Sequence, residues 1–179
     1  GVASVETAAL TRLRERAGGN IVRSIGSTPT ASVVDLFTNC EEVRPGNYVF
    51  YDAFQSTIGS CRFEDVAVSV VTTVVGSYPE RNTIIVDAGA LAMSKDTGPD
   101  HINPQFGFVI VCDLDLKPHD TMKLVALSQE HGKISTLAPV AVGTLVRLVR
   151  SHSCLTAAVY SGYDVFVGRR VSGGWERVG

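Results

Sequence analysis

The chain opens with "VASVETAALTRLRER", where small and apolar residues recur at helical spacing among charged ones. This predicts a surface helix over 2–16, with Ser4 as candidate N-cap and the pair Gly18 and Gly19 closing its C-terminus. "NIVRSI" then reads as a short strand over 21–25 that runs into a turn over 26–30. Helix, glycine turn, strand and polar loop is the rhythm of an α/β unit. Beyond Glu41 the pattern changes. "NYVFYDA", "VAVSVVTTVVGS", "NTIIVDAGA", "FGFVIVCDL", "MKLVALSQEHG" and "GTLVRLVRSHS" are all β-rich. Pro45, Gly46, Pro79, Gly98, Pro99, Pro118, Gly173 and Gly174 supply turn residues between them.

The expectation is a mainly β protein, with an α/β piece over 1–40 and a β domain of barrel or sandwich kind over 41–179. One helix and one strand can neither cover both faces of a sheet nor close a barrel, so the α/β piece reads as the end of a larger unit. The plainer alternative packs the helix directly on the β domain.

Composition narrows the function classes. With 16 basic and 18 acidic residues among 179, the net charge is -2, and no basic run offers a footprint for nucleic acid. No apolar segment reaches the roughly 18 residues of a membrane span, and no signal-peptide stretch opens the sequence, so a cytoplasmic protein is expected. Cys40, Cys61, Cys112 and Cys154 lack the dense spacing of a disulfide scaffold and read as free thiols.

Candidate chemistry lies in four places. In "GSTPT", Gly26 and the hydroxyls of Ser27, Thr28 and Thr30 offer donors to an anion such as a phosphate, or simply form a turn. In "EVRPGNY", Gly46 gives a backbone open to close approach and Asn47 an amide, again in what could be an ordinary Pro-Gly turn. In "HSC", His152 and Cys154 would project to one side of an extended strand end and converge on a cation, zinc before magnesium or calcium. The alternative is a buried cysteine beside an exposed histidine. In "SQEHG", Glu130 and His131 either orient a metal-bound group from behind or form a solvated hairpin rim. Asp87 and Gly89 in "IIVDAG" read as a structural strand end.

Taken in order, "GSTPT", "EVRPGNYVFYD", "IIVDAG", "SQEHG" and "HSCLTA" resemble the D-threonine aldolase and D-serine dehydratase-like family, whose members are built like alanine racemase. The resemblance runs from about Asn20 onward. It implies the last part of a (β/α)8 barrel followed by the C-terminal β domain. It also implies a lyase that uses pyridoxal phosphate and a divalent metal, zinc or manganese, on D-β-hydroxy amino acids, as a homodimer. On the matching positions, Gly26, Ser27, Thr28, Gly46 and Asn47 become cofactor contacts and His152 and Cys154 metal ligands. Cysteine at the second ligand position leans toward dehydratase rather than aldolase. The family's cofactor-bearing lysine has no counterpart among Lys95, Lys117, Lys123 and Lys133, so it is expected on a barrel outside these residues, without which the chain is inactive. Two other readings stay open: a non-catalytic β interaction domain of the same family, and a metal-independent enzyme of the alanine racemase kind.

Overall fold

A computed structural model describes residues 2–34, 37–97 and 109–178. It begins with α1 (Val2–Ala17), which buries none of its residues. Ser4 lies inside this helix rather than capping it, and Gly18 and Gly19 end it with the left-handed backbone expected of them. Polar ties hold α1 in place. Arg14 pairs with Glu41 at 2.8 Å, and Arg23 reaches both Glu41 and the Thr11 hydroxyl.

The strand after α1 is β1 (Ser24–Ile25), shorter than the 21–25 expected, because its partner β2 (Glu42–Val43) offers only two residues and Ile21 and Val22 remain exposed. β1 and β2 pair in parallel and are connected through α2 (Thr28–Val33), so the α/β unit extends past residue 40. "GSTPT" is therefore a helix start and not a turn. The Ser27 side chain accepts from the Thr30 N–H, and Pro29 sits in the first turn, where its missing N–H costs nothing.

"NYVFYDA" is not a strand. Tyr51 has a left-handed φ of 51°, and the Asp52 carboxylate caps a new helix, α3 (Ala53–Thr57), which together break any extended run. Beyond it come β3 (Val70–Tyr78), β4 (Thr83–Val86), α4 (Ala90–Met93), β5 (Val109–Cys112), β6 (Pro118–Leu127), β7 (Gly132–Thr136), β8 (Leu145–Arg150), α5 (Ser153–Ala158), β9 (Gly162–Val167) and β10 (Arg170–Glu176). Among the described residues, strand outweighs helix. Gly98 and Pro99, expected as turn residues, and the first part of "FGFVIVCDL" lie outside the described residues.

Strands β3 to β8 close into a barrel in the order β3-β4-β7-β6-β5-β8, every neighbouring pair antiparallel. Register shifts between Val74 and Gly76, Ile110 and Cys112, and Leu124 and Ala126 bend the sheet, as closure requires. Inward positions fill the lumen, among them Val74, Val86, Val111, Leu124, Ile134 and Leu148. The continuous apolar run of β5 has its own reason. Val109 and Val111 face the lumen, while Ile110 and Cys112 pack outside against Ala53, Val66 and Val149. The segment carrying α3 thus covers one outer face of the barrel, close to where β8 ends. Gly173 and Gly174 are not a turn; they lie within β10 beside a bulge, and Gly168, with φ of 60°, makes the β9–β10 hairpin turn.

Candidate functional site

Asp52 is the centre of a buried polar network joining three distant segments. Its extended backbone points the carboxylate at the start of α3, where Oδ1 accepts from the Gln55 N–H at 2.8 Å. Oδ2 accepts from the Asn47 side-chain amide and from the Ser153 N–H at 3.0 Å, and the Ser153 hydroxyl donates to the Asn47 side-chain carbonyl. The Asn47 N–H in turn donates to the Thr28 hydroxyl at 3.1 Å. Thr28, Asn47, Asp52 and Ser153 are all buried. Each polar atom left without a partner here would cost about 1–3 kcal/mol, so the network specifies one arrangement of α2, the 46–50 turn and the start of α5.

The two loops expected to contact the cofactor are therefore joined to each other. The buried Thr28 hydroxyl, accepting from the Asn47 backbone N–H, ties them together, while Gly26 and Gly46 are exposed and Ser27 is half-buried at the same edge. Open space surrounds the position a Cβ would take at Gly46, and the Arg44 carbonyl lies 3.3 Å from that position at Gly26.

His152 and Cys154 stand on either side of the pinned Ser153. They do not share a strand face, as an extended segment would have it: His152 is the extended residue before α5, and Cys154 is in its first turn. Ser-Cys-Leu-Thr-Ala-Ala has helix-compatible residues throughout, and Ser153 fixes the turn out of β8. Cys154 is exposed and not buried, yet partial desolvation, then the nearby Asp52 carboxylate, hold its thiol above the usual range. The Nδ1 of His152 lies 2.7 Å from the Asp96 carboxylate. Asp96 follows α4, and buried Arg150 at the end of β8 donates to its carbonyl. Burial pushes the Arg150 guanidinium down to about 10, with the Asp96 charge opposing.

Glu130 and His131 are exposed on the turn between β6 and β7. That turn is zipped to α4, where the Ala90 N–H donates to the Ser128 carbonyl at 2.8 Å and the Leu91 N–H to the Gln129 carbonyl at 2.9 Å. At Gly89 an added Cβ would lie 2.4 Å from the Gln129 carbonyl, which accounts for glycine there. Asp87 is structural as expected. Hydrogen bonds from the Thr72 hydroxyl, then the Thr73 N–H, hold its pKa below the usual range. α4 also carries α5, since Thr156 donates to the Met93 carbonyl and Tyr160 to the Ala92 carbonyl, both at 2.9 Å. Glu130 and His131 are thus one helix removed from α5, on a solvated rim. Among the described residues, no group of three or more His, Cys, Asp or Glu side chains could enclose a metal, and no helix is long and apolar enough to cross a membrane.

Residues 67–166 match the family described as "Putative serine dehydratase domain", more than half of the chain. The chain belongs to that family. It is 40% identical over 154 residues to a D-serine dehydratase of Dictyostelium discoideum, covering 79% of this chain and 38% of the relative. It is 38% identical over 168 residues to a D-threo-3-hydroxyaspartate dehydratase of Delftia sp., covering 88% of this chain and 44% of that one. The solved structure of the Delftia enzyme superposes with a TM-score of 0.83 at 35% identity, over 98% of this chain and 49% of that one. An alanine racemase-like protein of Idiomarina loihiensis gives 0.80 at 34% identity, over 94% and 47%. The chain thus spans less than half the length of each. The Dictyostelium and Delftia relatives are dehydratases, that is lyases, of D-amino acids. Two further structures of a D-threo-3-hydroxyaspartate dehydratase carry a histidine-to-alanine and a cysteine-to-alanine change two positions apart, the latter in the metal-free form.

Asp52, Asp96 and Ser153 are the site residues that sequence patterns did not single out. "DAFQ", an N-cap aspartate with Gln55 three residues on, is a readable helix start and could have exposed Asp52. Nothing local marks Asp96, whose partner is 56 positions away.

Proposed function

We propose that this chain forms the metal-bearing and phosphate-bearing face of a lyase that dehydrates D-amino acids with a β-hydroxyl, using pyridoxal phosphate and zinc. The observation that carries the reading is the tie from Thr28 and Asn47 through Asp52 to Ser153, which locks the candidate phosphate loops to the residue between His152 and Cys154. The spacing of the two residues substituted in the D-threo-3-hydroxyaspartate dehydratase structures, one of them metal-free, is that of His152 and Cys154 and supports the metal assignment.

The residues fit both groups. An imidazole and a thiol are the donors zinc prefers, and two protein ligands leave positions for water and substrate. With Nδ1 engaged by Asp96, Nε2 is the His152 atom that would bind the metal, and Cys154, two residues on, is exposed. The accessible backbone of Gly26 and Gly46, with Ser27, fits a phosphate, while Thr28 and Asn47 hold those loops in place. When bound, pyridoxal phosphate supplies an electron sink for the α-carbon and zinc a Lewis acid for the β-hydroxyl. Ser153, fixed by both its N–H and its hydroxyl, keeps the two metal donors from drifting with the end of α5. The cofactor's lysine is assigned to a barrel beyond these residues, and closure of the rim around His152 to a second protomer.

The test is formation of pyruvate and ammonia from D-serine by the intact protein, before and after chelation. Activity that falls on chelation and returns with zinc supports the proposal. Turnover unaffected by chelator with metal content at zero overturns the metal half, and the metal-independent alternative then stands.

A further inference from the structure

We propose that Asp96 is a positioning residue for His152, fixing which ring nitrogen is offered to a metal. The inference rests on the reading of His152 as a zinc ligand and goes beyond it. A neutral imidazole carries one N–H and one lone pair, and either nitrogen can hold the proton. Here Nδ1 is 2.7 Å from Oδ2 of Asp96, and a carboxylate only accepts, so the proton sits on Nδ1 and the lone pair on Nε2. The ring also needs the contact for its direction, because its side chain is 43% exposed and would otherwise sample several rotamers.

Asp96 is itself held. The buried guanidinium of Arg150 donates to its carbonyl and lies 3.5 Å from the Ser94 hydroxyl, which accepts from the Asp96 N–H at 3.3 Å. Ser94 takes a left-handed φ of 66° as it ends α4, which turns the chain toward β8. Arg150 precedes His152 by two residues, so one strand end sets both the carboxylate and the imidazole it orients. A surface ion pair with side chains 43% and 30% exposed contributes little to stability, so a stabilising role is a poor explanation for this arrangement. Orientation of a ligand from behind is what the geometry is suited to.

The experiment is zinc titration of the intact metal-free protein in five forms: wild type, Asp96→Ala, Asp96→Asn, His152→Ala and the double variant Asp96→Ala with His152→Ala. Thermal unfolding of the metal-free forms is measured alongside. Asp96→Ala should weaken zinc binding about tenfold to a hundredfold. Its metal-free Tm should stay at the wild-type value. Asp96→Asn, which keeps an acceptor for the Nδ1 proton, should recover part of the affinity, and the Asp96→Ala effect should vanish in the His152→Ala background. Wild-type zinc affinity in Asp96→Ala, or an equal loss with and without His152, overturns the inference and leaves the zinc assignment standing. Zinc affinity unchanged in His152→Ala overturns both.

Discussion

The hydroxyl of Ser153 donates to the side-chain carbonyl of Asn47, a residue 106 positions earlier in the chain. That contact and the Asp52 carboxylate beneath it make one rigid unit of the two half-sites, and their energetics are measurable apart from any activity.

Ser153→Ala leaves the buried Asn47 carbonyl without its donor and should cost about 1–3 kcal/mol, read from denaturant unfolding. Asp52→Ala strands three N–H donors and should cost more. Because the two act in one network, the double variant should fall short of the sum of the singles. Additive losses would mean that the contacts are independent.

Two glycines should respond in opposite ways. Gly89→Ala drives a Cβ into the backbone of the 128–131 turn, at 2.4 Å from the Gln129 carbonyl and 2.5 Å from the His131 N–H, and should destabilise by about 1–3 kcal/mol. Gly46→Ala meets nothing within 4 Å, and the backbone there is not left-handed, so unfolding should be unchanged. Its effect should appear as weaker pyridoxal phosphate binding, measured by absorbance titration of the intact protein.

The N-terminal helix should loosen in acid. Hydrogen bonds from Arg23, the larger cause, and from Arg14 hold the Glu41 carboxyl at about 2, against an ordinary 4.5. A carboxylate whose pKa is depressed on folding stabilises above its unfolded value, and the contribution is lost as pH falls from 4.5 toward 2. Hydrogen exchange of α1 amides should therefore quicken, relative to barrel amides, across that window. Glu41→Gln should remove the pH dependence; an unchanged profile in that variant would assign the loosening to other groups.

The barrel was legible where burial writes itself into local sequence. "VIVC" reads as a strand because β5 is covered on both faces, and the alternation of β3 marks its lumen side. "NYVFYDA" misleads, because its aromatic and β-branched residues suit a strand while a left-handed Tyr51 and a capping Asp52 decide otherwise. "HSC" misleads in the same way. The motif gives the residue types, but the start of α5 and the hold on Ser153 from Asp52 set their geometry, and that hold spans 101 positions. Asp96 depends on a tertiary contact alone, so no local pattern could have marked it.

The central claim is that His152 and Cys154 hold a zinc ion, and zinc content per chain, measured by mass spectrometry after exhaustive dialysis of the intact wild type and of Cys154→Ala, tests it most directly. The account predicts about one zinc per wild-type chain and a metal-free Cys154→Ala variant whose Tm, with metal removed from both, matches the wild type. Equal zinc content in the two proteins, or none in the wild type after zinc is supplied, would contradict it.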